Sequence, residues 1–235
     1  MLYLHGLSAL GSVARCEAPP GFRLATYDQR GHGDATPLTD PADYGIEEFV
    51  ADAIAVLDHL GWDSPAVGGS SMGAAVALKV ALAHPDRVSS LVVGGPAFGD
   101  APNAALIETF DPTADAIDSL GIEAVIPLVR RAQIARGLAE DATAFLENWR
   151  RHDSKAMAAV LRTVTRWVPF PNLEGDLRTI DVPVVVAGWP GDPFHPIALA
   201  ERIASVTGGR LARIAGVEAV LADPGSVSRA LAEVL

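Results

Sequence analysis

Gly69-Ser70-Ser71-Met72-Gly73 is the segment of this 235-residue chain best suited to chemistry. It follows a short apolar run, Pro65-Ala66-Val67, and opens an alanine-rich stretch, so it reads as strand, tight turn, helix. A turn of that kind forces its middle residue into a strained backbone conformation, and glycine at 69 and 73 lets neighbouring chains pass close by. The Ser71 hydroxyl is thereby lifted above the sheet edge at a helix N-terminus. The Met72 amide points the same way and can donate to a developing oxyanion. This is the setting of a nucleophilic serine. Gly/Ser-rich strand–helix turns also bind phosphate, but here no lysine or glycine-rich loop of phosphate-binding form accompanies the turn.

The elements that must position this serine follow from the alternation of apolar runs and helical patterns. Candidate strands are 1–5, 22–27, 65–69, 88–94, 182–187 and 210–214, most of them β-branched or Leu-rich and bounded by Gly or Pro. Between them Ile46, Phe49, Val50, Ala53, Ile54, Leu57 and Leu60 recur at helical spacing, with Gly61 as the stop. Further helices are expected at 72–84, 196–206 and 225–235. The fold class is therefore α/β, a mostly parallel sheet of about six strands with flanking helices. The rhythm breaks between Ala97 and Asp181, where only helical patterns occur, at 113–119, 122–136, 140–151 and 154–167. An insertion of that size predicts a helical cap at 97–181 over the C-terminal strand ends, with residues 1–96 and 182–235 forming the core.

Composition narrows the function classes. The chain carries 18 Lys+Arg against 29 Asp+Glu, a net charge of −11, which disfavours nucleic acid and anionic membrane surfaces as partners. Its one cysteine, Cys16, excludes an internal disulfide and a cysteine-rich metal site. The histidines fall at no metal-binding spacing, and no Gly-x-Gly-x-x-Gly follows a strand, so neither a metal nor a dinucleotide cofactor is expected. No apolar run nears the roughly 18 residues of a membrane span, and Met1 leads into Leu2-Tyr3-Leu4 without a signal-peptide pattern. The expected compartment is the cytoplasm. Residues 130–166 hold eight basic and four acidic residues, a solvated helical face or else a mild attractor for a carboxylate-bearing substrate.

With the Ser71 turn in place, the sequence resembles the α/β-hydrolase superfamily, in its esterase and lactonase branch, through nearly the whole chain. Leu2-Tyr3-Leu4-His5-Gly6-Leu7 is similar to the family's strand ending in a His-Gly oxyanion motif. That match implies the Leu7 amide as second oxyanion donor and His5 as a structural turn residue. Tyr27-Asp28-Gln29-Arg30-Gly31-His32-Gly33 resembles the family's D-x-R-G-x-G loop, which implies scaffold roles for Asp28, Arg30 and His32. Val182 to Gly188, followed by Asp192-Pro193, is similar to the acid-bearing strand and loop, so the resemblance makes Asp192 the carboxylate that orients the catalytic histidine.

The sequence departs from the family at two places. The family's N-terminal hairpin is missing, since Met1 stands immediately before the His-Gly strand. The strand at 22–27 would then be an exposed sheet edge, compatible with a homodimer. The other departure is that Val217 occupies the place of the histidine, in a stretch that aligns on Gly216 and Asp223-Pro224. No histidine follows His195. A serine hydroxyl needs a base, and His195, three residues after Asp192, is the candidate substitute. A loop histidine packing beside Pro196 is the plainer reading, and Asp192 is not expected to orient a histidine so close in sequence. Glu218 would serve only with an apolar pocket. His59 and His84 belong at helix ends, and His152 is expected to be exposed in the cap. Trp149, Trp167, Phe145, Phe170 and Trp189 read as cap packing, some of it lining an apolar acyl pocket.

The resulting expectation is a serine hydrolase of the carboxylic-ester class acting on an ester, lactone or similar small acyl compound. Its catalytic residues would be Ser71, Asp192 and His195, with Leu7 and Met72 as oxyanion donors. The other readings are a catalytically silent homologue binding a small apolar ligand under its cap, and a lyase or cofactor-free oxidase or peroxidase on the same scaffold.

Overall fold

A computed structural model describes residues 1–13, 23–135 and 140–222. The expected helix at 225–235, Cys16 and Asp223-Pro224 lie outside the described residues. Five strands form one parallel sheet in sequence order: β1 (Leu2–Leu4), β2 (Ala66–Ser71), β3 (Ser90–Pro96), β4 (Val184–Gly188) and β5 (Arg210–Arg213). Consecutive parallel neighbours require a crossover at each step. These are supplied by α1 (Ile46–Leu60), α2 (Met72–Ala83), a helical stretch after β3, and α7 (Ile197–Thr207); α8 (Val217–Ala222) follows β5.

The run at 22–27 does not form the expected sixth strand. Among the described residues of this run only Ala25 pairs, through an isolated parallel bridge to Leu2 with Tyr3 N–H donating to Ala25 O (2.9 Å). The chain is drawn off immediately afterwards: Thr26 Oγ1 donates to Gly11 O (2.9 Å) and the Gly11 amide donates to Asp28 Oδ1 (2.7 Å). These bonds divert the segment into the loop that runs to Gly33.

Helix α1 buries Ile46, Phe49, Val50, Ala53 and Leu57 along one stripe, and Gly61, left-handed at φ 64°, ends it. Helix α2 is buried almost all round, from Met72 through Ala81, because it lies inside the main apolar cluster rather than on the surface. Its small residues allow that. The sharpest case is Gly73, where a Cβ would fall 2.1 Å from the Leu4 carbonyl oxygen.

Between β3 and β4 the chain is helical: α3 (Ala104–Leu120), α4 (Ile122–Ala135), a 3-10 segment at Asp141–Arg151, α5 (Ser154–Val164) and α6 (Leu173–Leu177). Helix α3 starts nine residues earlier than the pattern at 113–119 suggests, with Asn103 as its side-chain N-cap and Pro112 held inside it. Ala114, Ile117, Val125, Ile126, Trp149 and Leu161 pack into an apolar cluster of their own, and Leu7 and Phe110 touch both this cluster and the main core. The basic excess of 130–166 is largely taken up in ion pairs: Arg162 with Asp115 and Asp118, Arg166 with Asp111, Arg150 with Glu123 and Glu147, and Arg151 with Asp34. It is a solvated, paired face. Among the described residues no helix is long and apolar enough to cross a membrane.

Replacing Gly73 with Ala forces a methyl against the Leu4 carbonyl, so β1 and α2 must separate. We expect a loss of about 1–3 kcal/mol, read as a Tm lower by about 2–4 °C per kcal/mol. Gly61→Ala meets no neighbour within 4 Å and bears only the left-handed backbone strain, so it serves as the comparison. A Gly73→Ala protein as stable as wild type would refute the close contact.

Candidate active site

Strand β2 ends at Ser71, whose φ of 53° and ψ of −111° lie outside the ordinary regions for a side-chain-bearing residue. Helix α2 begins at the next residue, so the Met72 N–H is one of the helix's unsatisfied first-turn donors. Ser71 is half-buried and pairs in register with Pro96 of β3. On its other side runs the loop that leaves β1. A Cβ on Gly6 would lie 3.3 Å from Ser71 Cβ, which puts the Gly6-Leu7 peptide against the turn. Among the described residues no hydrogen bond takes up the Leu7 amide.

The β1 loop is bracketed by three buried histidines. His5 accepts the Gln29 amide on Nε2 (2.9 Å) and donates from Nδ1 to Gly6 O (2.8 Å). His32 accepts the Ser8 amide on Nε2 (3.0 Å) and donates from Nδ1 to Arg30 O (3.0 Å). His152 accepts the Gly33 amide on Nδ1 (2.9 Å) and donates from Nε2 to Ser8 O (3.2 Å). Gln29 adds a bond from Nε2 to His5 O (2.7 Å). Ser8, held from both sides, sits at a positive φ of 60°. The rings stack edge to face, His5 on His32 at 4.9 Å and His32 on His152 at 5.4 Å.

Each ring meets one backbone N–H and one backbone C=O, which only the neutral imidazole can satisfy. Burial brings His5 down to about 4 and lowers His32 and His152 as well, with neighbouring histidines adding to the effect on His32. With every ring nitrogen committed to backbone, the trio has no lone pair left for a metal. His152 thus departs from its expected exposure: it is 4% exposed and joins the inserted helices to the loop beside Ser71. Nothing local announces a contact made across 119 residues to Gly33.

The loop after β4 leaves the strand next to β3, whose Pro96 is the register partner of Ser71. Asp192, 9% exposed, accepts three bonds: His195 Nδ1–H on Oδ2 (2.7 Å), Trp189 Nε1–H on Oδ2 (2.9 Å) and the Phe194 amide on Oδ1 (2.9 Å). Burial alone would raise its pKa. The His195 bond and charge, then the Trp189 and Phe194 bonds, overcome that and bring it to about 2. The carboxylate therefore does orient His195, against the expectation from their closeness in sequence, because the loop folds back and presents both side chains to one side. With Nδ1–H on the carboxylate, Nε2 carries the lone pair of the neutral ring. Among the described residues Nε2 has no partner, and no hydrogen bond joins it to Ser71 Oγ.

The remaining candidates sort by burial. Val217 is half-buried against the apolar cluster that contains Trp189 and Val220. Glu218 is exposed at the start of α8, outside the apolar surroundings a carboxylate base needs. Trp189 is not cap packing, since its ring lies beside the sheet and its N–H serves Asp192. The side chain of Phe145 lies outside the described residues. Phe110 and Phe194 face each other at 5.9 Å, and Asn103 Nδ2 donates to Phe194 O (2.9 Å), which ties the start of α3 to the Asp192 loop.

Comparison with known proteins places this geometry in a wider group. The family described as alpha/beta hydrolase fold matches residues 1–191. RutD of Caulobacter sp. (strain K31), provisionally named a carbamate hydrolase, is 28% identical over 186 residues, covering 78% of this chain and 68% of RutD. A proline iminopeptidase of Neisseria meningitidis is 35% identical over 98 residues, 40% of this chain and 32% of its own. The chain thus spans about two thirds of the first relative and about a third of the second. In fold, the enol-lactonase of Burkholderia xenovorans LB400 superposes with a TM-score of 0.78 at 20% identity, covering 99% of this chain and 89% of the lactonase. A thermophilic esterase of Thermogutta terrifontis gives 0.75 at 20% identity, over 99% and 87%.

The three neutral histidines make stability fall on mild acidification. Their folded pKa values lie below the ordinary 6.5, so the unfolded chain binds more protons as pH drops from about 6.5 toward 4. Each contributes up to about 1.4 kcal/mol of loss per pH unit in that window. Asp192 acts lower, its contribution disappearing only as pH falls below the ordinary carboxylate range through about 2. Urea unfolding at pH 7, 6 and 5 should show a slope steeper than one proton, flattened in His152→Gln. Stability constant from pH 7 to 5 would show that the rings are not buried in the neutral form.

Proposed function

Because the chain belongs to the alpha/beta hydrolase fold family, we propose that it is a serine hydrolase of a small uncharged ester or lactone, with Ser71 as nucleophile. His195 is the base, Asp192 the group that orients it, and the Leu7 and Met72 amides are the oxyanion donors. The observation that carries this reading is the 2.7 Å bond from His195 Nδ1 to Asp192 Oδ2 on the loop after β4. It supplies the base–carboxylate half of a triad from the loop after β4, where Val217 leaves the family's usual position without one.

The chemistry then runs in two balanced halves. Ser71 Oγ attacks the acyl carbon while its proton passes to His195 Nε2, and Asp192 stabilises the imidazolium. The carbonyl oxygen becomes an oxyanion facing the Leu7 and Met72 N–H groups. Collapse expels the alkoxide, which takes the proton from His195. Water, deprotonated by the same nitrogen, then releases the acid and restores Ser71.

The helices at 97–181 act as a cap in this reading, supported by Leu7 and Phe110, which pack on both the helical cluster and the core. The substrate is uncharged because five cap arginines, Arg130, Arg150, Arg151, Arg162 and Arg166, are already paired with aspartates and glutamates, and Leu7, Phe110 and Phe194 offer apolar surface. The missing hydrogen bond between Ser71 Oγ and His195 Nε2 favours the other reading, a silent ligand-binding homologue. Active-site hydrogen bonds often tighten only with substrate bound.

A serine-directed fluorophosphonate separates the two. Intact-mass spectrometry should find one label on the wild type and none on Ser71→Ala. His195→Ala should label, and hydrolyse p-nitrophenyl butyrate, about 10³–10⁴-fold more slowly. A wild-type protein left unlabelled at pH 7 to 9 would overturn the hydrolase reading, and equal labelling of His195→Ala would remove the base from it.

A further inference from the structure

Trp189 has no part in the acyl-transfer steps, yet its bonds place it at their centre. Its Nε1–H donates to Asp192 Oδ2 (2.9 Å), the oxygen that also accepts His195 Nδ1–H (2.7 Å), while Oδ1 takes the Phe194 amide (2.9 Å). Three donors on two oxygens leave the carboxylate no free rotation. Phe194 and His195 belong to the same short loop as Asp192 and would move with it. The indole would not.

Trp189 follows directly on β4 and is 5% exposed. Its ring lies over Gly95, whose φ of 48° and missing side chain make room for it; a Cβ there would fall 2.3 Å from Trp189 Cη2. The next residue, Pro96, is the register partner of Ser71. The indole thus links the carboxylate on one side to the strand end beside the nucleophile on the other. Val217 packs in the same apolar cluster, so the residue at the family's histidine position offers the carboxylate no donor.

We propose that Trp189 is a positioning residue: its indole N–H holds the Asp192 carboxylate, and through it the His195 imidazole, in register with Ser71. The inference rests on the reading of Ser71, His195 and Asp192 as the acyl-transfer group. It also makes a claim of its own about the Asp192–His195 bond.

Two substitutions separate the N–H from the ring. Trp189→Phe keeps an aromatic ring on Gly95 and loses the donor. Trp189→His keeps less of the ring, but with the imidazole flipped about χ2 its Nε2–H falls where the indole N–H was. Benzothienylalanine at 189 retains the full bicycle without the N–H and covers the case in which phenylalanine leaves too large a gap. The readouts are the rate of Ser71 labelling, kcat and KM for p-nitrophenyl butyrate, and the downfield proton resonance of His195 Nδ1–H, assigned by its loss in His195→Ala.

We expect labelling and kcat to fall about tenfold in Trp189→Phe and in the benzothienyl protein, as for loss of one charge-assisted hydrogen bond. KM should stay near wild type, the Nδ1–H resonance should broaden, and Trp189→His should recover most of both. Activity that follows ring size, with His worse than Phe, would overturn the proposal, as would an unchanged benzothienyl protein. Absence of labelling in the wild type overturns the acyl-transfer reading instead. The Nδ1–H resonance then judges the anchoring by itself, and its persistence in Trp189→Phe would overturn that too.

Discussion

The contact between Gly73 and the Leu4 carbonyl is the constraint from which the site's geometry follows. With a Cβ at 73 only 2.1 Å from that oxygen, the first turn of α2 can reach the end of β1 only as glycine. The approach brings the first turn of α2 against the end of β1, and β2 is clamped between β1 and β3 as it enters the turn. A side-chain-bearing residue at φ 53° carries strain of order 1–3 kcal/mol, and that pairing on both edges is what holds it. Where a strand ends in such a turn, the backbone geometry rather than any side-chain interaction exposes the hydroxyl.

The loops that follow β1 and β4 are secured by opposite electrostatic means. On the β1 side, burial keeps His5, His32 and His152 neutral, and each ring bridges a backbone donor and a backbone acceptor. On the β4 side, hydrogen bonds hold Asp192 ionised despite its burial. Neutral imidazoles suit the first loop, because each ring accepts a backbone N–H on one nitrogen, which the charged form cannot do. A charged carboxylate suits the second, because three donors converge on it. Interchanging them would leave a buried charge unpaired or three donors without their acceptor.

Between these loops the inserted helices contribute apolar surface and little free charge. Aspartates of α3 pair with Arg162 of α5 and with Arg166 just beyond its end, so these basic residues hold the helices together rather than facing a ligand. Leu7 joins the helical cluster to the core, and it follows Gly6, which lies against Ser71. Movement of the helices would therefore be felt at that contact.

The parallel strands, the helix stop at Gly61 and the Gly69–Gly73 turn were legible in the sequence because each depends on spacing within a few residues. Periodicity and glycine placement are local properties. The segment at 22–27 has the composition of a strand but pairs only at Ala25, because Gly11 competes for Thr26 and Asp28 from a distant loop. His152 looked exposed, for its partners Ser8 and Gly33 lie more than a hundred residues away. Trp189 looked like apolar filler, and its distinction from other tryptophans is a single N–H aimed at Asp192. The residue types able to do chemistry were thus determined by sequence. Which of them share a proton, which stay neutral and which merely pack was decided by the tertiary structure, because burial and distance, not residue identity, set the energy of a charge or a hydrogen bond.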